Sequence, residues 1–182
     1  MALVNTFTAN QRFSEHSAAA IPEVIKRFFP DVLTITEVPA SASPAQKIGY
    51  DVTILLASGR FLAIDYKIRK HDYNDILFEY AMHEADGTFI PGYVNKAHLR
   101  NDFLLSFFQD TGRAELLEMG TYRQLWQRYG SEWIRRGLFG ERGYSHKFSP
   151  ARGRNGEIFS RYLVTIPRAE YYEKMMQLGA AV

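Results

Sequence analysis

The sequence predicts an α/β fold with a mixed central sheet flanked by helices. Three observations support this class: a helical pattern near the start, three β-rich segments that follow it, and further helical patterns in the second half. No internal repeat, proline-rich linker or low-complexity tract interrupts the 182 residues, a usual length for one domain. We therefore predict one domain over 1–182, with a core over about 10–110 and a helical, basic C-terminal part over about 111–182.

The N-terminal half is predicted to alternate helix and strand. A helix begins near Asn10, is interrupted by Pro22 and ends at Pro30, because proline removes a backbone donor and crowds the preceding turn. A strand follows over 32–38. The Ser-, Ala- and Pro-rich segment 40–46 is a loop by composition.

Further elements are predicted along the rest of the chain. In chain order they are a strand over 76–82, helices over 101–108 and 121–136, a glycine-rich loop over 137–156, a strand over 159–167 and a helix over 170–178. Three aromatic residues, Trp126, Tyr129 and Trp133, recur at helical spacing. We expect them to pack in the core rather than to bind a ligand.

The composition excludes several classes of protein. Hydrophobic residues make up 46% and charged residues 23% of the chain, which excludes disordered and collagen-like chains. The chain contains no cysteine, which also excludes a disulfide-stabilised fold, a thiolate zinc site and a cysteine nucleophile. No apolar segment approaches the roughly 18 residues of a membrane span, and the start lacks the basic-then-apolar pattern of a secretory signal. These observations predict a cytoplasmic protein without a membrane partner.

The segment 48–70 predicts a β-hairpin. Two β-rich segments flank a three-residue loop in which Gly59 takes the left-handed conformation. A loop of this length places Leu56 opposite Arg60, so that all even-numbered residues share one face. That face is apolar and is predicted to cover the core. Its residues are Tyr50, Val52, Ile54, Leu56, Leu62, Ile64, Tyr66 and Ile68.

The odd-numbered face of the hairpin carries charge. The same register places Asp51 directly opposite Asp65, with Lys67 one step along this face. Directly opposed like charges destabilise a hairpin, and a hard divalent cation with its preference for carboxylate oxygens would relieve the repulsion. Phosphodiester hydrolysis needs such a cation together with a nearby positive group. The Tyr66 carbonyl could add a neutral oxygen ligand.

Two segments of the hairpin, Gly49-Tyr50-Asp51 and Ile64-Asp65-Tyr66-Lys67, resemble the signature of the PD-(D/E)XK nuclease superfamily, which includes restriction endonucleases and Holliday-junction resolvases. The resemblance covers roughly the first half of the chain, from the first helix through the third strand. It implies a restriction-endonuclease-like αβββαβ core and a nuclease that depends on Mg²⁺ or Mn²⁺. It also implies nucleic acid as the partner, with DNA favoured. Tyr50 departs from the motif, which has proline there, at a position that varies widely in the superfamily.

The resemblance assigns roles residue by residue. Asp51 and Asp65 match the acids that hold the metal, and Lys67 matches the catalytic lysine. Many members also carry a glutamate on the first helix that reaches the metal through water. Glu15 is the first choice for this role and Glu23 is the alternative. Members of the superfamily often need a homodimer to cut both strands of a duplex, so the resemblance is compatible with a homodimer here.

The second half of the chain is basic. Residues 91–182 carry 14 Lys and Arg against 9 Asp and Glu, whereas the first 90 carry 8 against 11. The segment 142–168 holds six basic residues and a single acid. We predict that its mobile, glycine-rich part binds phosphates and that its aromatic residues stack on unpaired bases; a solvated basic surface without a role is the alternative. The residues predicted to contact nucleic acid are Arg142, Lys147, Arg152 and Arg154.

Other interpretations of the charged hairpin stay open. Asp51 and Lys67 could form an exposed ion pair worth about 0–1 kcal/mol. Alternatively, the fold could serve a non-catalytic nucleic-acid-binding or scaffold protein. A register shifted by one residue would place Asp51 and Asp65 on opposite faces and would favour an enzyme of unrelated chemistry. Glu79, on the following strand, is interpreted as structural.

Overall fold

The computed structural model describes residues 19–39, 48–84, 86–152 and 158–179. Within these ranges it contains helices, a five-stranded mixed sheet and a four-stranded antiparallel sheet, so the predicted α/β class is confirmed. The chain divides into two compact units, one formed by 1–72 with 98–119 and the other by 73–97 with 120–182. The single domain over 1–182 stays a prediction.

The elements of the described residues have the following bounds. The helices are α1 (Ile21–Phe28), α2 (Met119–Leu138) and α3 (Arg168–Gly179), and Tyr93–Asn95 form a 3₁₀ turn. The strands are β1 (Val32–Glu37), β2 (Val52–Leu56), β3 (Phe61–Arg69), β4 (Asp75–His83), β5 (Phe89–Pro91), β6 (Phe103–Phe108), β7 (Arg113–Glu118), β8 (Ser145–Arg152) and β9 (Ile158–Pro167). No helix among these elements is long and apolar enough to span a membrane.

The helix predicted from Asn10 falls in part outside the described residues; within them α1 begins at Ile21 and has Pro22 in its first turn, where a missing N–H leaves no bond unmade. Two predictions of local structure are wrong. The segment 101–108 contains strand β6 instead of a helix, since its short apolar run fits a strand buried on both faces. The loop predicted over 137–156 includes β8, which pairs with β9 along its whole length despite poor strand propensity.

The first unit is built on a mixed sheet with the strand order β1-β2-β3-β6-β7. Strands β1, β2 and β3 are antiparallel neighbours, β3 and β6 are parallel, and β6 and β7 are antiparallel. Between β3 and β6 the described residues form β4, β5 and the 3₁₀ turn, and they contain no α-helix. This connection differs from the αβββαβ order expected from the resemblance.

One face of the mixed sheet covers the core together with α1. Seven of the eight predicted even-numbered hairpin residues lie on this face, and the buried side of α1 packs against them; Tyr50 precedes β2 and is not part of this core. The buried members of this core are Ile21, Val24, Ile25, Val52, Ile54, Leu56, Leu62, Ile64, Leu105 and Phe107.

The register of the hairpin is confirmed. Val52 pairs with Ile64 and Ile54 pairs with Leu62, while the N–H of Leu56 donates to the carbonyl of Arg60 at 3.0 Å. Gly59 has a φ of +82°, the left-handed conformation that the loop requires. The shifted register, which favoured unrelated chemistry, is therefore excluded.

The second unit is built on the antiparallel sheet β5-β4-β9-β8 with the helices α2 and α3. Phe78 on β4 is fully buried, and its ring lies 4.4 Å from Tyr122, 5.3 Å from Trp126 and 5.1 Å from Trp133, between ring centroids. Trp126 and Trp133 are thus core residues, as predicted. Tyr129 is half-buried, with its ring 5.7 Å from that of Trp133.

Strand β4 contains a bulge between Glu79 and Ala81. The carbonyl of Tyr80, the residue inside the bulge, accepts hydrogen bonds from the N–H of Gly92 and from Nδ2 of Asn95, both at 2.9 Å. Gly92 comes so close that a Cβ atom there would lie 2.3 Å from the backbone nitrogen of Ala81. A glycine is therefore required at this contact.

Replacing Gly92 with alanine is expected to lower the free energy of unfolding by about 2 kcal/mol or more, because the added methyl group meets backbone that cannot move aside without breaking the bulge. Urea unfolding measures the change. Gly179→Ala is the control, since no atom lies within 4 Å of a Cβ there. Equal unfolding free energies for the two variants would contradict the predicted close contact.

Candidate active site

The two hairpin acids meet on the face of the mixed sheet opposite α1. Asp51 immediately precedes β2, and Asp65 lies in the middle of β3 and is buried. Oδ2 of Asp51 accepts a hydrogen bond from the N–H of Tyr66 at 3.1 Å, and the two carboxyl groups are hydrogen-bonded to each other. The predicted opposition of these acids is therefore present in the structure.

The environment of Asp51 shifts its titration. Burial is the largest cause, and the hydrogen bond to Asp65 and the negative charge of that residue add to it, so the pKa of Asp51 is raised to about 7. Lys67 and the N–H of Tyr66 act in the opposite direction. The pair consequently binds a proton near neutral pH, where each acid alone would be ionised. Burial and the charges of Asp51 and Glu37 also raise the pKa of the Tyr66 phenol.

Lys67 lies beside the acids on the same face. Its Nζ is 3.0 Å from Oδ1 and 2.8 Å from Oδ2 of Asp65, and its side chain is 53% exposed. The ammonium group thus touches the buried carboxylate from the solvent side.

The face that carries the acids continues across β6 and β7. Residues of β3, β6 and β7 that pair in register share it, and we call this surface the site face. Its residues are Asp65, Lys67, Arg69, Leu104, Ser106, Phe108, Arg113, Glu115 and Leu117. One row of the site face runs from Lys67 through Ser106 to Glu115, a buried acid whose Oε2 lies 3.7 Å from Nη2 of Arg113.

Sequence reasoning missed the second half of the site face. Only the pairing of β6 with β3 and β7 places Glu115 in the same row as Lys67. Because the sequence predicts a helix over 101–108, this pairing is not expected from it. The guanidinium groups of Arg69 and Arg113 lie 5.4 and 5.0 Å from the ring centroid of Phe108, and Arg113 Nε also contacts Asp72 at 2.6 Å. The alternation of polar and apolar residues over 113–116 was the available signal.

In the described part of the chain, none of the other predicted acids lies beside Asp51 and Asp65. Glu15 lies outside the described residues. Glu23 is on α1, but it is 75% exposed and forms an ion pair with Lys26 at 2.7 Å. Glu79 forms an ion pair with Arg161 at 3.4 Å, in line with its structural interpretation. Within the described ranges no group of three or more His, Asp and Glu side chains is close enough to hold a metal ion.

The predicted nucleic-acid contacts fall on the second unit. Arg142 is exposed in the turn that follows α2, and Lys147 is exposed on β8. Arg152 is the last residue of β8, and Arg154 lies outside the described residues. The prediction that these residues share a mobile loop is wrong for Lys147 and Arg152, because pairing with β9 fixes the backbone of both.

The donor set of the site fits a hard divalent cation in part. Two carboxyl groups in direct contact supply the oxygen ligands that Mg²⁺ and Mn²⁺ prefer, and their mutual repulsion is what a cation would remove. Tyr66 contributes its N–H to Asp51, and the role of its carbonyl as a ligand stays a prediction. No protein-family model matches the chain, and no similar protein was found among curated proteins or solved structures.

Proposed function

We propose that the protein is a Mg²⁺- or Mn²⁺-dependent nuclease that hydrolyses phosphodiester bonds, with DNA as the favoured substrate. The proposal is carried by one observation: the carboxyl groups of Asp51 and Asp65 meet, and Nζ of Lys67 lies within 3.0 Å of Asp65. Two opposed acids, of which Asp65 is buried and Asp51 half-buried, destabilise a fold, so we take their presence beside a lysine as support for a functional site.

Each residue has a role in this proposal. Asp51 and Asp65 would hold the cation, and the N–H of Tyr66 orients the Asp51 carboxylate toward it. The bound cation would supply Lewis-acid polarisation of a phosphoryl oxygen. Lys67 would place its positive charge where negative charge develops on the phosphate. The Tyr66 carbonyl and Glu15 complete the proposed set of oxygen donors.

The architecture of the first unit supports a restriction-endonuclease-like core as part of the proposal. A helix precedes three antiparallel strands. Asp51 immediately precedes the second strand and Asp65 lies on the third, and the next strand of the sheet is parallel to the third. The connection through β4 and β5 departs from the expected crossover helix. The departure leaves the acids and the lysine on one face.

A second candidate is a nucleic-acid-binding protein without catalysis. It is favoured by the finding that only two acids of the predicted metal set come together among the described residues. Such a protein would have no need for a cation at Asp51 and Asp65. Metal-dependent cleavage therefore separates the two candidates.

The test is a cleavage assay on single-stranded, duplex and branched DNA and on RNA, each with Mg²⁺, Mn²⁺ or EDTA. We expect strand cleavage with either cation and none with EDTA. Binding without cleavage on every substrate would overturn the nuclease and support the binding protein. If both strands of a duplex are cut together, we propose that two copies of the chain act as a homodimer.

A further inference from the structure

The sheet face that carries the two acids continues toward the hairpin loop as two further rows of side chains. These side chains come from residues of β1, β2 and β3 that pair in register, and we call them the hairpin strip. Its members are Thr36 and Thr53 in the row next to the acids, and Thr34, Leu55 and Phe61 in the row beyond. The proposed nuclease mechanism uses none of the five.

The hairpin strip is open to solvent. Phe61 is 73% exposed, the two threonines of β1 are exposed, and the two members on β2 are half-buried. On the other side of the acids the apolar residues of the site face are buried, namely Leu104, Phe108 and Leu117. A polymer with one of its phosphodiesters at the acids therefore finds an open path across the sheet along the hairpin strip.

The spacing along β3 relates Phe61 to the acids. Phe61 lies four residues before Asp65 on the same face, which is roughly 13 Å along a strand. Within the described ranges no other aromatic ring contacts Phe61, so its ring is not part of an aromatic cluster. The continuity of this exposed ring with the two acids favours the substrate as its partner.

The side chains of the hairpin strip suit a nucleic-acid strand. None of them is a carboxylate, so the path away from the acids does not repel phosphate. The hydroxyl groups of the threonines can donate to phosphate oxygens. The flat ring of Phe61 can stack on any base, because every base has a π-face. A base offers that face to a side chain only where it is unpaired.

We propose that Phe61 stacks on an unpaired base of a strand whose phosphodiester lies at Asp51 and Asp65. This inference rests on the proposed function and names its substrate class, which is single-stranded nucleic acid. Phe61 acts here as a substrate-binding residue and takes no part in bond cleavage. Stacking requires neither the cation nor ionised acids, so it can be measured apart from cleavage.

The test compares two labelled probes by fluorescence anisotropy in EDTA. One is a single strand of about 16 thymidines, and the other has the same length and charge but an abasic unit at every position. We expect the wild type to bind the thymidine strand roughly tenfold more tightly than the abasic strand. Phe61→Leu keeps an apolar side chain without a flat ring and should reduce this ratio to about one, whereas Phe61→Tyr keeps the ring and should preserve it.

Phe28→Ala is the control variant. Phe28 is 38% exposed in the same unit, on α1, which packs against the opposite face of the sheet. It should preserve the preference for the thymidine strand, and thermal unfolding checks that every variant is folded. A preference that survives in Phe61→Leu, or is lost equally in Phe28→Ala, would overturn the role of Phe61. So would a wild-type dimer that Phe61→Leu converts to a monomer, since the hairpin strip would then bind a second copy of the chain.

The outcomes also separate the hairpin strip from the nuclease. Asp65→Asn is expected to keep the preference for the thymidine strand. A preference that depends on the Phe61 ring supports the hairpin strip even where the wild type cleaves nothing. If the wild type cleaves and Phe61→Leu cleaves single strands with the same KM, the hairpin strip alone is refuted.

Discussion

Replacing Lys67 with alanine is expected to lower the rate of Mg²⁺-dependent cleavage by about 10²–10³-fold. Nζ of Lys67 lies 2.8 Å from Oδ2 of the buried Asp65, and half of the lysine side chain is exposed. Its removal takes away stabilisation that develops only as negative charge builds up on the phosphate. The loss should consequently appear in kcat rather than in KM, as measured with saturating substrate.

Lys70→Ala is the matched control for this effect. Lys70 is an exposed lysine just beyond the end of β3, and its substitution removes the same charge from the same unit. We expect it to change cleavage by less than about threefold, through the general attraction of the polyanion. If both lysine variants lost the same activity, the specific role of Lys67 would be refuted. Full activity in Lys67→Ala would remove this residue from the proposed mechanism.

The cation-free protein is expected to lose stability between about pH 4 and pH 7. The pKa of Asp51 is about 7 in the folded protein against 3.8 ordinarily, so the folded state binds the proton more tightly than the unfolded state. The stabilisation from this proton is complete below pH 3.8, falls as pH rises, and is gone above pH 7. Its size is up to about 4 kcal/mol, because one pKa unit corresponds to roughly 1.4 kcal/mol.

Asp51→Asn tests the origin of this dependence. An asparagine keeps an oxygen for the N–H of Tyr66 and an N–H for Asp65, as the protonated acid does, without ionising. At pH 8 in EDTA the variant should therefore have a higher free energy of unfolding than the wild type, as measured by urea unfolding. Its free energy of unfolding should also not show the decrease between pH 4 and pH 7 that is expected for the wild type. Mg²⁺ should stabilise the wild type at pH 8 and the variant much less. Asp31→Asn, at an exposed acid of the same unit, should follow the wild type. If the free energy of unfolding of the wild type does not change from pH 4 to pH 8, the claim that Asp51 and Asp65 share a proton is contradicted.

The hairpin and its acids could be predicted from the sequence because their determinants are local. A three-residue loop that ends in Gly59 fixes the pairing of the strands, and the period of two then fixes which side chains share a face. Asp51 and Asp65 are 14 residues apart, and nothing beyond the hairpin is needed to bring them together.

The rest of the site face and the second unit depend on pairings that no local pattern specifies. Phe103–Phe108 is apolar on both faces, and its periodicity is as compatible with a short buried helix as with a strand. Glu115 is placed beside Ser106 only once that strand is paired. Phe148 reaches Tyr162 because β8 pairs with β9, although the sequence of β8 has few β-forming residues.

The order of the strands along the chain bears on how the protein is synthesised. Each unit is interrupted by part of the other, since 73–97 stand between the two segments of the first unit and 98–119 between those of the second. When synthesis reaches residue 119, every strand of the mixed sheet exists, whereas β4 still lacks its neighbour β9. The growing chain therefore exposes the β4 edge that pairs with β9 until residues 158–167 emerge, and an unpaired strand edge is open to aggregation and to chaperones.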